Sequence, residues 1–177
     1  MKKMKRLVAV LLAGIMVLAM LTACGGTGND AATAKFEASV EQAYMAKLKE
    51  KFGEEFKNFE NDADIKKLAV EHIEEMANNE TLSMDELWKK EELSEKAQNW
   101  VMICYDVNQG TGKAYVKSSY EAGKAETIET KNIDTFFSLA QMKRANVAKK
   151  AKFTALGVGA KTINGKTYVA IGFKVEG

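Results

Sequence analysis

The chain has 177 residues, room for one domain with a substantial core. Its 46% hydrophobic and 28% charged residues exclude a disordered or collagen-like chain. The formal charge of +2 rests on four basic residues at the start; without them 22 basic side chains face 24 acidic ones, a balance of −2, so charge makes no case for nucleic-acid binding.

Lys2, Lys3, Lys5 and Arg6 precede an almost unbroken apolar run, Leu7 to Leu21, and then Thr22-Ala23-Cys24-Gly25. This order reads as a secretory signal. As a membrane span the run is short, and it ends without a basic stop. Leu21-Thr22-Ala23-Cys24 resembles the bacterial lipobox. The resemblance implies a signal peptide over 1–23 and diacylglycerol on the Cys24 thiol. It further implies anchoring at the extracellular face of a bacterial cytoplasmic membrane. The membrane is thus the first expected partner. Cys104 is then the only free cysteine, so no intramolecular disulfide is expected. Its setting, "WVMICYDV", suits a buried small hydrophobe better than a nucleophile.

Residues 24–34, "CGGTGNDAATA", read as a flexible tether. Over 35–60, Phe36, Val40, Tyr44, Leu48, Phe52 and Phe56 recur every fourth position, which predicts an amphipathic helix interrupted near Gly53. It either packs on the domain or stands off as a stalk. The domain itself is expected over 61–177. Asp62 or Asp64 can cap a helix presenting Ile65, Leu68, Ala69, His72, Ile73 and Met76. Ser83 with Glu86 forms a capping box, and the pattern Leu87, Leu93, Ala97, Trp100, Val101, Cys104 predicts a helix to about Tyr105. Asp106 to Lys131 reads as loop. Its Gly-Thr-Gly-Lys lacks the Walker glycine, because Val107 stands there. Asn132 to Val147 is helical. Phe153 to Lys161 and Lys166 to Val175 flank Asn164-Gly165, the signature of a two-residue hairpin. Gly157, Gly159 and Gly172 leave gaps on one side of that hairpin.

The segment "MKRANVAKKAKFTALGVGAKTINGKTYVAIGF", Met142 to Phe173, resembles the C-terminal part of the CAP superfamily, the SCP-like extracellular domain. Arg144-Ala145-Asn146, Leu156-Gly157-Val158-Gly159 and Tyr168 to Phe173 match its motifs in order. "LWKKEELSEKAQNWV", Leu87 to Val101, is similar to the family's early helix, and "SSYEAGKAE", Ser118 to Glu126, to the turn before its first strand. The resemblance implies an α+β fold, a three-layer α-β-α sandwich with an extra N-terminal helix. Many members line a cleft with two histidines and two acidic residues that bind a divalent metal.

Here Lys143 stands where the resemblance expects a histidine before Arg144, and "YDVN" at 105–108 has no histidine either. No metal or other cofactor is therefore expected. The resemblance leaves Tyr120, Glu126, Glu129, Lys143, Arg144 and Asn146 as candidate cleft residues, with Lys143 paired to Glu126 or Glu129. Arg144 and Asn146 also have a structural reading, as ties at a helix end. No catalytic constellation appears in the sequence. The expectation is a lipid-anchored binding module for a cell-wall fragment, a lipid or a protein. The alternatives are a cell-envelope hydrolase using acidic residues and a partner-binding structural lipoprotein.

Overall fold

A computed structural model describes residues 28–177 apart from 57–58, 108, 118–119, 122–127, 131 and 149. The expected signal, Cys24 and Glu126 lie outside the described residues. Among the described residues three α-helices and two antiparallel sheets make an α+β fold: α1 (Gly28–Phe52), α2 (Ala63–Met76), β1 (Trp88–Ser94), β2 (Ala97–Ile103), β3 (Tyr105–Val107), β4 (Ala114–Val116), β5 (Tyr120–Glu121), α3 (Ile133–Val147), β6 (Lys152–Ile163) and β7 (Lys166–Glu176). A short 3-10 turn, Gly53–Glu55, closes α1. Among the described residues no helix is long and apolar enough to cross a membrane.

β7 is the spine of the main sheet. It pairs with β6 along its full length, and on its other side with β2 from Glu176 to Ala170 and with β5 at Thr167 and Lys166. β1 completes the order outside β2. The β6–β7 turn is Asn164-Gly165 as expected, with φ of 51° and 75°, the left-handed pair that a type I′ turn requires.

α2 packs on one face of this sheet. Asp62 caps it, its carboxylate accepting the Asp64 and Ile65 N–H groups at 3.0 Å. Gly157, Gly159 and Gly172 face it. A Cβ on Gly172 would lie 2.4 Å from Val101 Cγ1 and 2.5 Å from Ile65 Cγ2, and one on Gly159 2.9 Å from Ala69 Cβ. The gaps in the hairpin are therefore the bed of α2. α3 covers the opposite face, where Phe136 meets Phe173 and Trp88 at ring-centroid distances of 5.8 and 6.3 Å.

α1 begins at Gly28, inside the segment expected to be a flexible tether, and it lies along the domain. Val40, Tyr44 and Leu48 are fully buried, Phe56 is buried, and Phe52 stacks on Phe137 at 3.7 Å. Its acidic side chains finish the exposed edge of β6. Glu41 accepts the Ala160 N–H at 3.1 Å and Glu37 the Thr162 N–H at 2.6 Å, while Asn61 accepts the Val158 N–H at 2.8 Å. These side chains satisfy donors that would otherwise template another strand.

The expected helix from Ser83 to Tyr105 is instead a β-hairpin. The capping box forms, Ser83 N–H donating to Glu86 at 2.7 Å and Glu86 N–H to Ser83 Oγ at 3.3 Å, but it closes a single turn. The apolar run Trp100 to Cys104 is unbroken, and such a run fits a buried strand as well as a helix. The β7 edge decides it: β2 pairs there from Ala97 to Ile103, and charged β1 becomes the outer strand. The loop expected from Asp106 to Lys131 contains the short strands β3, β4 and β5.

Candidate functional site

α3 presents Phe136, Ala140 and Lys143 to the sheet, three positions on one helical stripe. Phe136 and Ala140 are buried there. Lys143 reaches the surface end of the stripe, where β1 and β2 supply two indoles. Its Nζ lies 4.6 Å from the Trp100 ring centroid and 5.4 Å from that of Trp88. The indoles meet edge to face at 6.2 Å. Lys90, cross-strand from Trp100, puts a second ammonium 5.7 Å from the same ring. Trp100 Nε1 donates to Gln98 at 3.1 Å, and Lys90 pairs with Glu92. Trp88 is buried whereas Trp100 is half-exposed, so one indole fixes the geometry and the other meets solvent. An aromatic plane flanked by two ammonium groups suits an anionic ligand with a flat apolar face.

The sequence-derived cleft residues do not gather as one set. Lys143 sits on the indoles, and neither of its ring contacts involves Glu129. Arg144 turns instead toward the start of β6. Its Nη1 donates to the Ala151 carbonyl at 2.8 Å and Nε to Gln141 at 2.9 Å, and its guanidinium lies 5.5 Å from the Phe153 ring. This is the structural reading of Arg144, tying the end of α3 to the start of β6. Asn146 is exposed. Tyr120 and Glu129 meet elsewhere: the Tyr120 hydroxyl donates to the Glu129 backbone carbonyl, and Phe36 packs edge-on to the Tyr120 ring at 6.2 Å. Burial pushes the Tyr120 phenol up to about 12, with a hydrogen bond to Tyr44 opposing it.

The two groups with nucleophilic or basic chemistry are committed to the interior. Burial pushes the Cys104 thiol up to about 12, against a hydrogen bond with Tyr44, so it stays protonated at neutral pH. His72 is buried on α2, its Nε2 3.1 Å from the Leu87 carbonyl. That carbonyl can only accept, so Nε2 carries the proton and Nδ1 faces the interior with no partner. Burial holds its pKa below the ordinary histidine range.

Two hollows lie among the described residues. An aromatic one lined by Phe52, Phe56, Phe137 and Phe153 has about 10 Å³ of free space, less than a water needs comfortably. An open one of about 250 Å³ lies between α2 and β1, lined by Asp64, Lys67, Glu71 and Glu91 with Leu68 and Leu93.

Trp88 and Trp100 are the residues that sequence reasoning missed. Read as one helix, they sit more than three turns apart. Read as a hairpin with Lys90 opposite Trp100, they converge. No protein-family model, no characterised protein and no solved structure matches the chain.

Proposed function

We propose that the chain is a lipid-anchored binding module of the bacterial cell surface, a divergent CAP-like domain whose cleft no longer serves a metal. The observation that carries the anchor is the order basic cluster, apolar run, Leu21-Thr22-Ala23-Cys24. Binding rather than catalysis is supported by the placement of Cys104 and His72 in the core, and by the half-exposed Trp100 beside Lys143. CAP kinship is supported by the paired terminal strands with the preceding helix packed on them. The hairpin at 88–103, where the resemblance implies a helix, weakens the upstream half of the match. The Trp100 surface is the proposed ligand site, and a cell-wall fragment suits its mixed aromatic and cationic character better than a bare apolar lipid.

The projecting-helix version of a structural lipoprotein loses its main feature, because α1 lies on the domain. The hydrolase alternative has one feature in its favour, the acidic hollow between α2 and β1.

Two measurements test this reading. Cys24→Ser should abolish incorporation of a labelled fatty acid and move the protein out of the membrane fraction; unchanged fractionation would refute the anchor. Thermal-shift screening of the chain from Gly28 against cell-wall fragments, lipids and divalent metals should find a stabilising cell-wall fragment. A ligand at 100 times its Kd adds about 2.7 kcal/mol, and Trp100→Ala should remove the shift. Strong stabilisation by zinc would overturn the metal reading.

A further inference from the structure

We propose that α1 holds the domain on a short leash with a fixed orientation, the tip of the β6–β7 hairpin toward the membrane and the Trp88–Trp100–Lys143 cluster away from it. The inference rests on Cys24 carrying the lipid. It begins with the direction of α1 along the outer edge of β6. Glu41 takes the N–H of Ala160 and Glu37, one helical turn nearer the N-terminus, takes that of Thr162. A helical turn of four residues advances about 6 Å and two strand residues about 6.7 Å, so the two acceptors match two successive outward donors. The N-terminal end of α1 therefore lies at the hairpin tip. At its other end Phe52 stacks on Phe137, and Lys51 pairs with Asp134 at 2.5 Å. Contacts at both ends, with Val40, Tyr44 and Leu48 buried between them, make α1 part of the rigid body.

This shortens the anchor. Only Gly25, Gly26 and Thr27 separate Cys24 from the first residue of α1. Whatever conformation they take, the Cys24-to-Gly28 span reaches at most about 14 Å, against about 40 Å for the eleven residues of a free 24–34 tether. Gly28 lies about 14 Å of helix before Glu37, and the turn about 7 Å of strand beyond Thr162. Along the strand direction the hairpin tip is thus held within roughly 20 Å of the lipidated residue. The Trp100 cluster is at the other end: Trp100 pairs with Phe173, seven residues along β7 from Lys166, or about 23 Å. A ligand site so placed is offered outward, to the cell wall.

The test uses the full lipidated chain in phosphatidylethanolamine–phosphatidylglycerol vesicles carrying a headgroup quencher. Lys166→Cys and Lys96→Cys place single fluorophores at the tip and at the far end, where the Gly177 N–H donates to the Lys96 carbonyl. Buried Cys104 does not take the label. The label at 166 should be quenched at least threefold more than that at 96. Equal quenching by protein that sediments with the vesicles overturns the orientation alone; failure to sediment overturns the anchor and the orientation with it. In folded protein with about twenty Gly-Ser residues inserted between Thr27 and Gly28, the contrast should fall toward one. A contrast that persists there removes α1 as the orienting element.

Discussion

The two faces of the main sheet are built on opposite principles. The α2 face is made of small residues: Gly157, Gly159, Gly172 and Ala170 let a helix sit against the strands with no room for one added carbon. The α3 face is made of large ones, Trp88, Trp100, Phe136, Phe153 and Phe173, which meet edge to face at 5.1 to 6.2 Å except for Trp88 and Phe136, stacked at 6.3 Å. Close backbone approach leaves the first face nothing to offer a ligand beyond its rim. Aromatic packing leaves the second a fringe, because large rings cover area without closing it, and Trp100 with Lys143 and Lys90 is that fringe. Stability and recognition are thus assigned to different sides of one sheet.

Removing a fully buried ring that meets three others is the strongest way to break this contrast. Phe173 touches Trp88, Phe136 and Phe153. Phe173→Ala should cost about 4 kcal/mol in urea unfolding. On the other face Gly172→Ala should cost about 3 kcal/mol, because the new carbon meets Val101, Ile65 and the Trp100 carbonyl at 2.4 to 2.7 Å. A neutral result there would show that the α2 face yields. Glu41→Ala strips the buried Ala160 N–H of its acceptor and Lys66 of its partner at 2.5 Å, an expected loss of about 2 kcal/mol by the same measurement.

A smaller effect appears in pH. The folded-state pKa of His72 is depressed below 6.5 by burial, opposed by its bond to the Leu87 carbonyl. Between that depressed value and 6.5 the unfolded chain binds a proton that the folded one does not. Stability contributed here is complete above pH 6.5 and declines as pH falls through that window. Burial raises Glu41 above 4.5, which acts in the opposite sense, stability falling as pH rises from 4.5 through its folded value. Urea titrations of wild type and His72→Gln at pH 7.5 and 5.5 isolate the histidine: the wild type should lose more on acidification. Smallest of all, Lys143→Ala should change stability by less than about 1 kcal/mol while perturbing tryptophan emission. A large destabilisation would make the Lys143 cluster part of the core.

Much of the frame was legible. The Asn164-Gly165 turn, the cap at Asp62, the buried stripe of α2 and the helix after Asn132 all arise from interactions within a few residues. The Ser83–Glu86 box is legible for the same reason, and it forms. It does not specify the conformation of the next segment, since Leu87 to Tyr105 fits both periods. The candidate site suffered most from that ambiguity. Arg144 and Lys143, adjacent in sequence, reach different rings, Phe153 and Trp100. Tyr120 lies with Glu129 and Phe36 rather than with either.

By itself the sequence determined the charge balance, the sparse cysteines, the turns, the caps and the strand pair at the end of the chain. Tertiary structure decided that Trp88 to Ile103 is a hairpin, that α1 lies along β6, and that two indoles meet one lysine. Turns and caps are satisfied by neighbours three or four residues away. A strand needs a partner that the chain supplies some seventy residues later, and only packing selects which candidate edge it joins.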